Sequence, residues 1–178
     1  AAMASVLESL KRLEHEGYHF EVADGSLELL LRASTGWHQK FFELESYRVI
    51  ADQGDTLLTE ATVKVRVGDD RVVATAEGNG PVNALDGALR EAIGSRYPAL
   101  AHVHLVDYRV RVLDSGKGTG SVTRVLIDST DGDRTWTTIG VSENIIAASW
   151  QALADSVVFG LLHAADHGAP AGDGAGTA

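Results

Sequence analysis

Two stretches of this chain run through the same order of local signals, and that internal repeat constrains the fold more than any single motif. From Phe41, residues Phe42, Leu44, Ser46, Arg48 and Ile50 alternate with Glu43, Glu45, Tyr47 and Val49, the period-two pattern of a strand. Ala61, Val63, Val65 and Val67 alternate with Thr62, Lys64 and Arg66, Gly68-Asp69-Asp70 supplies a tight turn, and 71–76 returns as the hairpin partner. Gly78-Asn79-Gly80-Pro81 then opens an apolar-periodic helix that ends near Ser95, and Tyr97-Pro98 closes the unit. The second pass has a strand over 103–113, the loop DSGKGTGS and a strand over 122–128. The turn STDGD, a strand over 135–139 and a helix over 144–163 complete it.

Ser46-Tyr47-Arg48-Val49 aligns with Asp107-Tyr108-Arg109-Val110 at a spacing of 61, Val63 and Val65 with Val125 and Ile127 at 62, and Gly78 with Gly140 at 62. One inserted residue reconciles the two spacings. The reading is an α+β fold of two pseudo-repeated βββα modules, 41–97 and 101–165, with sheets packed against helices. Each module has one open apolar face, which predicts packing against the other module and against a second copy of the chain.

The ends read differently. Residues 1–40 form a helical linker subdomain: Ser5 caps a first helix, with Glu8 completing a capping box, and Asp24 caps a short second helix over 26–33. Leu7, Leu10, Leu27, Leu30 and Leu31 give both helices an apolar side, and a partner outside this chain is the expected cover. Residues 166–178, rich in Gly and Ala, are expected to be disordered.

Charge and cysteine content narrow the function. A net charge of -10, with no basic cluster longer than Lys11-Arg12, argues against nucleic acid as a partner. No apolar run is read as approaching the length that spans a bilayer, so no membrane is expected. Zero cysteines exclude a disulfide scaffold and a thiolate site, and fit the cytoplasm.

Catalytic motifs are weak. His102 and His104 share one face of a strand at metal-ligand spacing, but no third ligand is implied. Gly140-Val141-Ser142 lacks the flanking glycine of a nucleophile elbow. Gly78-Asn79-Gly80-Pro81 is neither a Walker loop nor a dinucleotide fingerprint. It is a tight strand-to-helix turn with Pro81 at the first helical position, and its two glycines expose backbone N–H groups at a positive helix end, where a small carboxylate can sit. No catalytic residue and no metal ligand are assigned.

The segments EATVKVRVGDDRVVATAEGNGPVNALDGALREAI, DYRVRVLDSGKGTGSVTRVLI and VSENIIAASWQALADSVVFGLL resemble the C-terminal regulatory domain of the 2-isopropylmalate synthase and citramalate synthase family. The run from Ser142 to Leu153, and LEHEGYHFEVADGSLELLLR before it, is most similar to the citramalate synthase branch. The resemblance implies a homodimeric, non-catalytic domain that binds the end-product amino acid as feedback inhibitor, isoleucine in one branch and leucine in the other. It also implies an absent catalytic barrel, which alone carries the divalent metal; no cofactor is expected in this fragment. Carried over by resemblance, the effector pocket comprises Gly78, Gly80 and Asn83, then Val112, Thr119 and Ser121, then Asn144 and Ile145. The competing readings are a dimerisation module without ligand and a stand-alone enzyme using His102 and His104.

Overall fold

In the computed structural model the elements are, in chain order, α1 (Ala2–Glu16), α2 (Asp24–Ser34), β1 (Glu43–Gln53), β2 (Leu57–Val67), β3 (Asp70–Gly78), α3 (Pro81–Ile93), β4 (His104–Val112), β5 (Thr123–Thr130), β6 (Thr135–Ser142) and α4 (Ile145–Asp166). The structure describes residues 2–37, 39–54, 56–113, 118 and 120–166. The expected disordered tail lies outside these, apart from Asp166, which ends α4. The chain divides into two compact units, one of 40–101 with the chain from 161, the other of 1–39 with 102–160. Each carries one three-stranded antiparallel sheet, β1-β2-β3 and β4-β5-β6, so the α+β reading with two βββα modules holds.

In the first sheet, alternation along β2 sends Ala61, Val63, Val65 and Val67 to one face. There they meet Ala84, Leu85, Ala88, Leu89, Ala92 and Ile93 of α3, all buried. Gly68, at φ +62, makes the two-residue turn between Val67 and Asp70 that sequence predicts. Tyr97 closes the module by donating to the Phe41 carbonyl at 2.7 Å.

The outer strands are less regular than their alternation suggests. The register shifts between Leu44 and Ser46, and again between Leu105 and Asp107, so Glu45 and Val106 are bulged residues at matching places. The bulge puts Tyr47 and Val49 on the same face as Leu44, and leaves Ile50 facing solvent. The predicted grouping of Leu44 with Ser46, Arg48 and Ile50 is thereby reversed beyond the bulge, because one extra residue flips every later side chain.

The bulges also correct the repeat. Counted from them, the first strands match at 61, as read, but the second and third strands and the helix starts match at 64. Thr59 answers to Thr123, Gly78 to Ser142, and Gly80 to Asn144. Gly140 is therefore not the counterpart of Gly78. The loop before the second module's middle strand takes up three inserted residues rather than one.

In the second sheet α4 covers the face formed by Val125, Ile127, Ser129, Trp136 and Thr138. Thr138 Oγ1 donates to the Ala152 carbonyl at 2.7 Å, Trp136 Nε1 to the Ser156 carbonyl at 3.2 Å, and the Ser129 and Ser156 hydroxyls are 2.5 Å apart. Over Ile145–Ala164, α4 is long and apolar enough to cross a bilayer, which the sequence reading had denied; 61% of that window is buried. A core helix that is apolar nearly all round passes the same test.

The N-terminal helices find cover within the chain for Leu10, Leu27 and Leu30, while Leu7 and Leu31 remain exposed. Phe20 and Ala23 form a cluster with Ile139 on the opposite face of the second sheet, joined by Leu10, Leu13, Leu27, Leu30, Leu126 and Val141. Helix α1 already begins at Ala2, so Ser5 is interior and the predicted capping box does not form; Ala and Met are strong enough helix formers to extend it upstream. Asp24 is the first residue of α2, with Ala23 in the cap position.

That segment seals the open edge of the sheet. The outward N–H groups of Thr137, Ile139 and Val141 donate to Asp24 Oδ1 at 2.8 Å, Ser26 Oγ at 3.0 Å and Gln151 Oε1 at 3.1 Å. An unpaired edge is a template for aggregation, and here three side chains occupy it.

Candidate functional site

The two strand-to-helix junctions hold corresponding places in the two modules and differ in chemistry. In the first, Gly78 is required: an added Cβ would lie 2.5 Å from Asn83 Oδ1 and 2.6 Å from the Ala84 nitrogen. Gly80 precedes Pro81 at the first helical position with ordinary extended backbone, φ −172, and no side chain caps α3. A Cβ at Gly80 would meet nothing within 4 Å. Asn79 N–H donates to Asn83 Oδ1 at 3.1 Å, so the Asn83 side-chain carbonyl serves the turn.

In the second junction Asn144 stands where Gly80 stands in the first. Its Oδ1 accepts from the Ile146 and Ala147 N–H groups at 2.9 and 3.1 Å, an N-cap that closes the positive end of α4, while Ser142 Oγ accepts from Asn144 N–H at 3.1 Å. Val112, Thr123 and Ser142 form one cross-strand row at this end of the sheet. Ser121 is 4% exposed, and both its N–H and its hydroxyl donate to the Gly118 carbonyl, at 3.2 and 2.7 Å. Thr119 lies outside the described residues. Thus the second unit gathers Val112, Ser121, Asn144 and Ile145 at the helix-start end of its sheet, and the first unit places Gly78, Gly80 and Asn83 at the corresponding end of its own.

Apolar surface lies beside the second junction. Val112 is 52% exposed and Ile145 46%, and Tyr108 and Val110 continue the stripe along β4 on the face that α4 only partly covers. Tyr108 reaches α4, its hydroxyl 3.0 Å from that of Ser149.

Sequence reasoning missed two further sites, both in this unit. A cavity of about 370 Å³ lies among Leu13, Phe20, Leu29, Leu30, Trp37 and Val158, and Asp155 and Ser26 supply its polar atoms together with Tyr18. Ser26 Oγ donates to Asp155 Oδ2 at 2.7 Å, and Tyr18 donates to Gln151 Oε1 at 2.8 Å. Burial pushes the Asp155 carboxyl up to about 6, with the Ser26 hydroxyl pulling the other way. Burial, then the nearby Asp155, raises the Tyr18 phenol. The available signal was a lone acid on the apolar stretch SWQALADSVVFGLL. The second cavity, of about 480 Å³, brings Val112 and Leu113 together with Arg111, Arg124, Tyr18 and His19, with Glu14 and Glu21 also lining it.

His102 and His104 are both exposed. Among the described residues no three His, Asp or Glu side chains converge to hold a metal ion.

Comparison with known proteins bears on the whole chain. The sequence model of the LeuA allosteric (dimerisation) domain matches residues 21–160. The (R)-citramalate synthase of Streptomyces coelicolor is 55% identical over 162 residues, covering 89% of this chain and 30% of the relative. That of Geobacter sulfurreducens is 51% identical, covering 88% of this chain and 30% of the relative. The 2-isopropylmalate synthase of Thermus thermophilus is 36% identical over 65% of this chain and 32% of the relative. The chain thus spans about 30% of the length of the curated relatives it matches.

Proposed function

This chain belongs to the LeuA allosteric (dimerisation) domain family, and from that membership we propose that it is the regulatory part of a cytoplasmic citramalate synthase. In this reading two copies pair, and a branched-chain amino acid, isoleucine, binds as feedback inhibitor. The family match over residues 21–160 carries the proposal. The choice of branch draws on 55% and 51% identity to citramalate synthases over nearly the whole chain, against 36% over a shorter stretch for the 2-isopropylmalate synthase. Pairing draws on the exposed stripe Tyr108, Val110, Val112 and Ile145. Condensation chemistry belongs to the remainder of such an enzyme.

The ligand carboxylate is proposed to meet the backbone around Gly78–Gly80, where the helix end contributes ~0.3–1 kcal/mol. The aliphatic side chain of such a ligand is worth ~1.5–3 kcal/mol when buried. Together these supply about 2–4 kcal/mol, which sets an affinity no tighter than about millimolar unless further polar contacts add to it. A Cβ at Gly80 would meet nothing within 4 Å, so Gly80→Val is expected to keep the domain folded and to abolish isoleucine binding in titration calorimetry. Equal affinity in wild type and variant would move the site elsewhere, and tighter leucine binding would favour the other branch, since one methylene discriminates by only ~1–3 kcal/mol.

A second reading has its own support. The Asn83 carbonyl, the Ser121 hydroxyl and the Asn144 carbonyl all serve internal hydrogen bonds, as they would in a dimerisation module that takes no ligand. Unchanged thermal stability across the twenty amino acids would select it, because a ligand at 100 times its dissociation constant adds about 2.7 kcal/mol.

A further inference from the structure

Arg111 and Arg124 stand directly opposite each other in the β4–β5 ladder. They lie on the face away from α4, since their neighbours Val125 and Ile127 fill the α4 side. Like charges placed opposite destabilise a sheet, and in a chain of net charge -10 a neutralising acid would be easy to supply. Three other sheet arginines have one: Arg66 and Arg71 share Glu45, and Arg109 has Asp107 and Asp128, whereas Arg48 stands opposite Thr62 with none among the described residues, but with no second arginine facing it. Among the described residues neither Arg111 nor Arg124 has a carboxylate within 4 Å. Both line the cavity of about 480 Å³ with Tyr18, His19 and Leu113.

The pair is built in. Arg124 Nε donates to the Gly17 carbonyl at 2.7 Å, anchoring the turn after α1, which leaves its two Nη amines as donors. Gly17 holds φ +112, and a Cβ there would lie 2.5 Å from Leu113 Cδ1, so only glycine lets this turn approach the sheet. Burial, and then the Arg111 charge, draws the Arg124 pKa down without discharging it. A C-terminal helix cap explains the Gly17 bond, but not a second guanidinium beside it.

We propose that this cavity, which borders the second junction at Val112, is an anion site centred on Arg111 and Arg124, and that its ligand is the phosphoryl group of a small phosphorylated molecule. Two guanidinium forks side by side match a tetrahedral dianion in charge and in donor geometry, and the volume leaves room for the group the phosphate is attached to. Glu14 and Glu21 are both exposed, so solvent screens their repulsion more than it screens the attraction of partly buried Arg124.

The test is titration of the domain with inorganic phosphate at low ionic strength, followed by amide and arginine Nε shifts in NMR. Saturable shifts at His19, Arg111, Leu113 and Arg124 are expected with millimolar affinity or better. Arg111 is an exposed residue on an edge strand, so Arg111→Ala keeps the fold, checked by its thermal midpoint. It should weaken binding about tenfold or more, the loss of one charge-assisted contact. Arg48→Ala, in the other sheet, should leave affinity unchanged. Isoleucine at saturation should not compete, which separates this site from the effector proposal. Equal phosphate affinity in Arg111→Ala and wild type would overturn the site, as would shifts that never saturate. Succinate binding as tightly as phosphate would overturn the phosphoryl assignment.

Discussion

Replacing Asp155 by asparagine isolates an electrostatic burden that burial places on the fold. The carboxyl lies at about 6 rather than the ordinary 3.8, and burial is the main cause. The sign follows from linkage. Above about 6 the group is ionised in folded and unfolded chains alike, and only the folded chain suffers the desolvation. Below 3.8 it is protonated in both, and the burden vanishes. This group therefore makes the domain more stable as pH falls from about 6 to 3.8, opposite to an ion-paired carboxylate. Each tenfold in acid dissociation is worth about 1.4 kcal/mol, so the full burden at neutral pH is about 3 kcal/mol. Asparagine keeps the shape and still accepts the Ser26 hydroxyl, but it buries an NH2 that needs partners, at a cost of about 1 kcal/mol or more. The expected net gain at pH 7 is about 1–2 kcal/mol. At pH 4 the advantage disappears and only the amide cost remains. Urea unfolding of both proteins from pH 4 to pH 8 measures this directly. Parallel pH profiles, with a constant difference between wild type and Asp155→Asn, would refute the reasoning.

Other perturbations test the packing. In Gly25→Ala the new Cβ would lie 2.9 Å from the Thr137 carbonyl and 3.1 Å from Thr138 Cγ2; a loss of about 1–3 kcal/mol is expected, with faster hydrogen exchange at Thr137 and Ile139. At Gly140 a Cβ would collide with the Ala148 carbonyl, whereas at Gly80 it would meet nothing. Gly140→Ala should therefore unfold readily in denaturant, and Gly80→Ala should match wild type within about 0.5 kcal/mol. Val110→Lys puts a charge in the exposed β4 stripe and should shift light scattering from dimer to monomer mass without lowering the unfolding midpoint.

Much of this was legible along the chain. Alternation at 61–67 and the Gly68 turn marked a hairpin, and Pro81 after Gly78-Asn79-Gly80 marked the start of α3. These signals are local: periodicity, turn conformation and the missing N–H of proline act within a few residues. The repeat itself was visible for the same reason, as was the resemblance that rests on its motifs. The two glycines of that turn have different needs. Gly78 is forced by contact with Asn83 and Ala84, while Gly80 is free of any clash.

Tertiary structure decided what depends on distant residues meeting. The bulges at Glu45 and Val106 reversed the faces of the outer strands, and no local signal marks a residue that its partner strand skips. The repeat offset of 64 follows from those registers alone. Asp24 and Ser26 read as a helix start, yet their side chains meet N–H groups 113 residues along the chain. Asp155 looks like any acid until the apolar walls around it raise its pKa, and Arg111 and Arg124 look solvated until strand pairing sets them side by side. Propensity and periodicity are properties of neighbours in sequence, whereas desolvation, charge proximity and edge sealing are properties of neighbours in space.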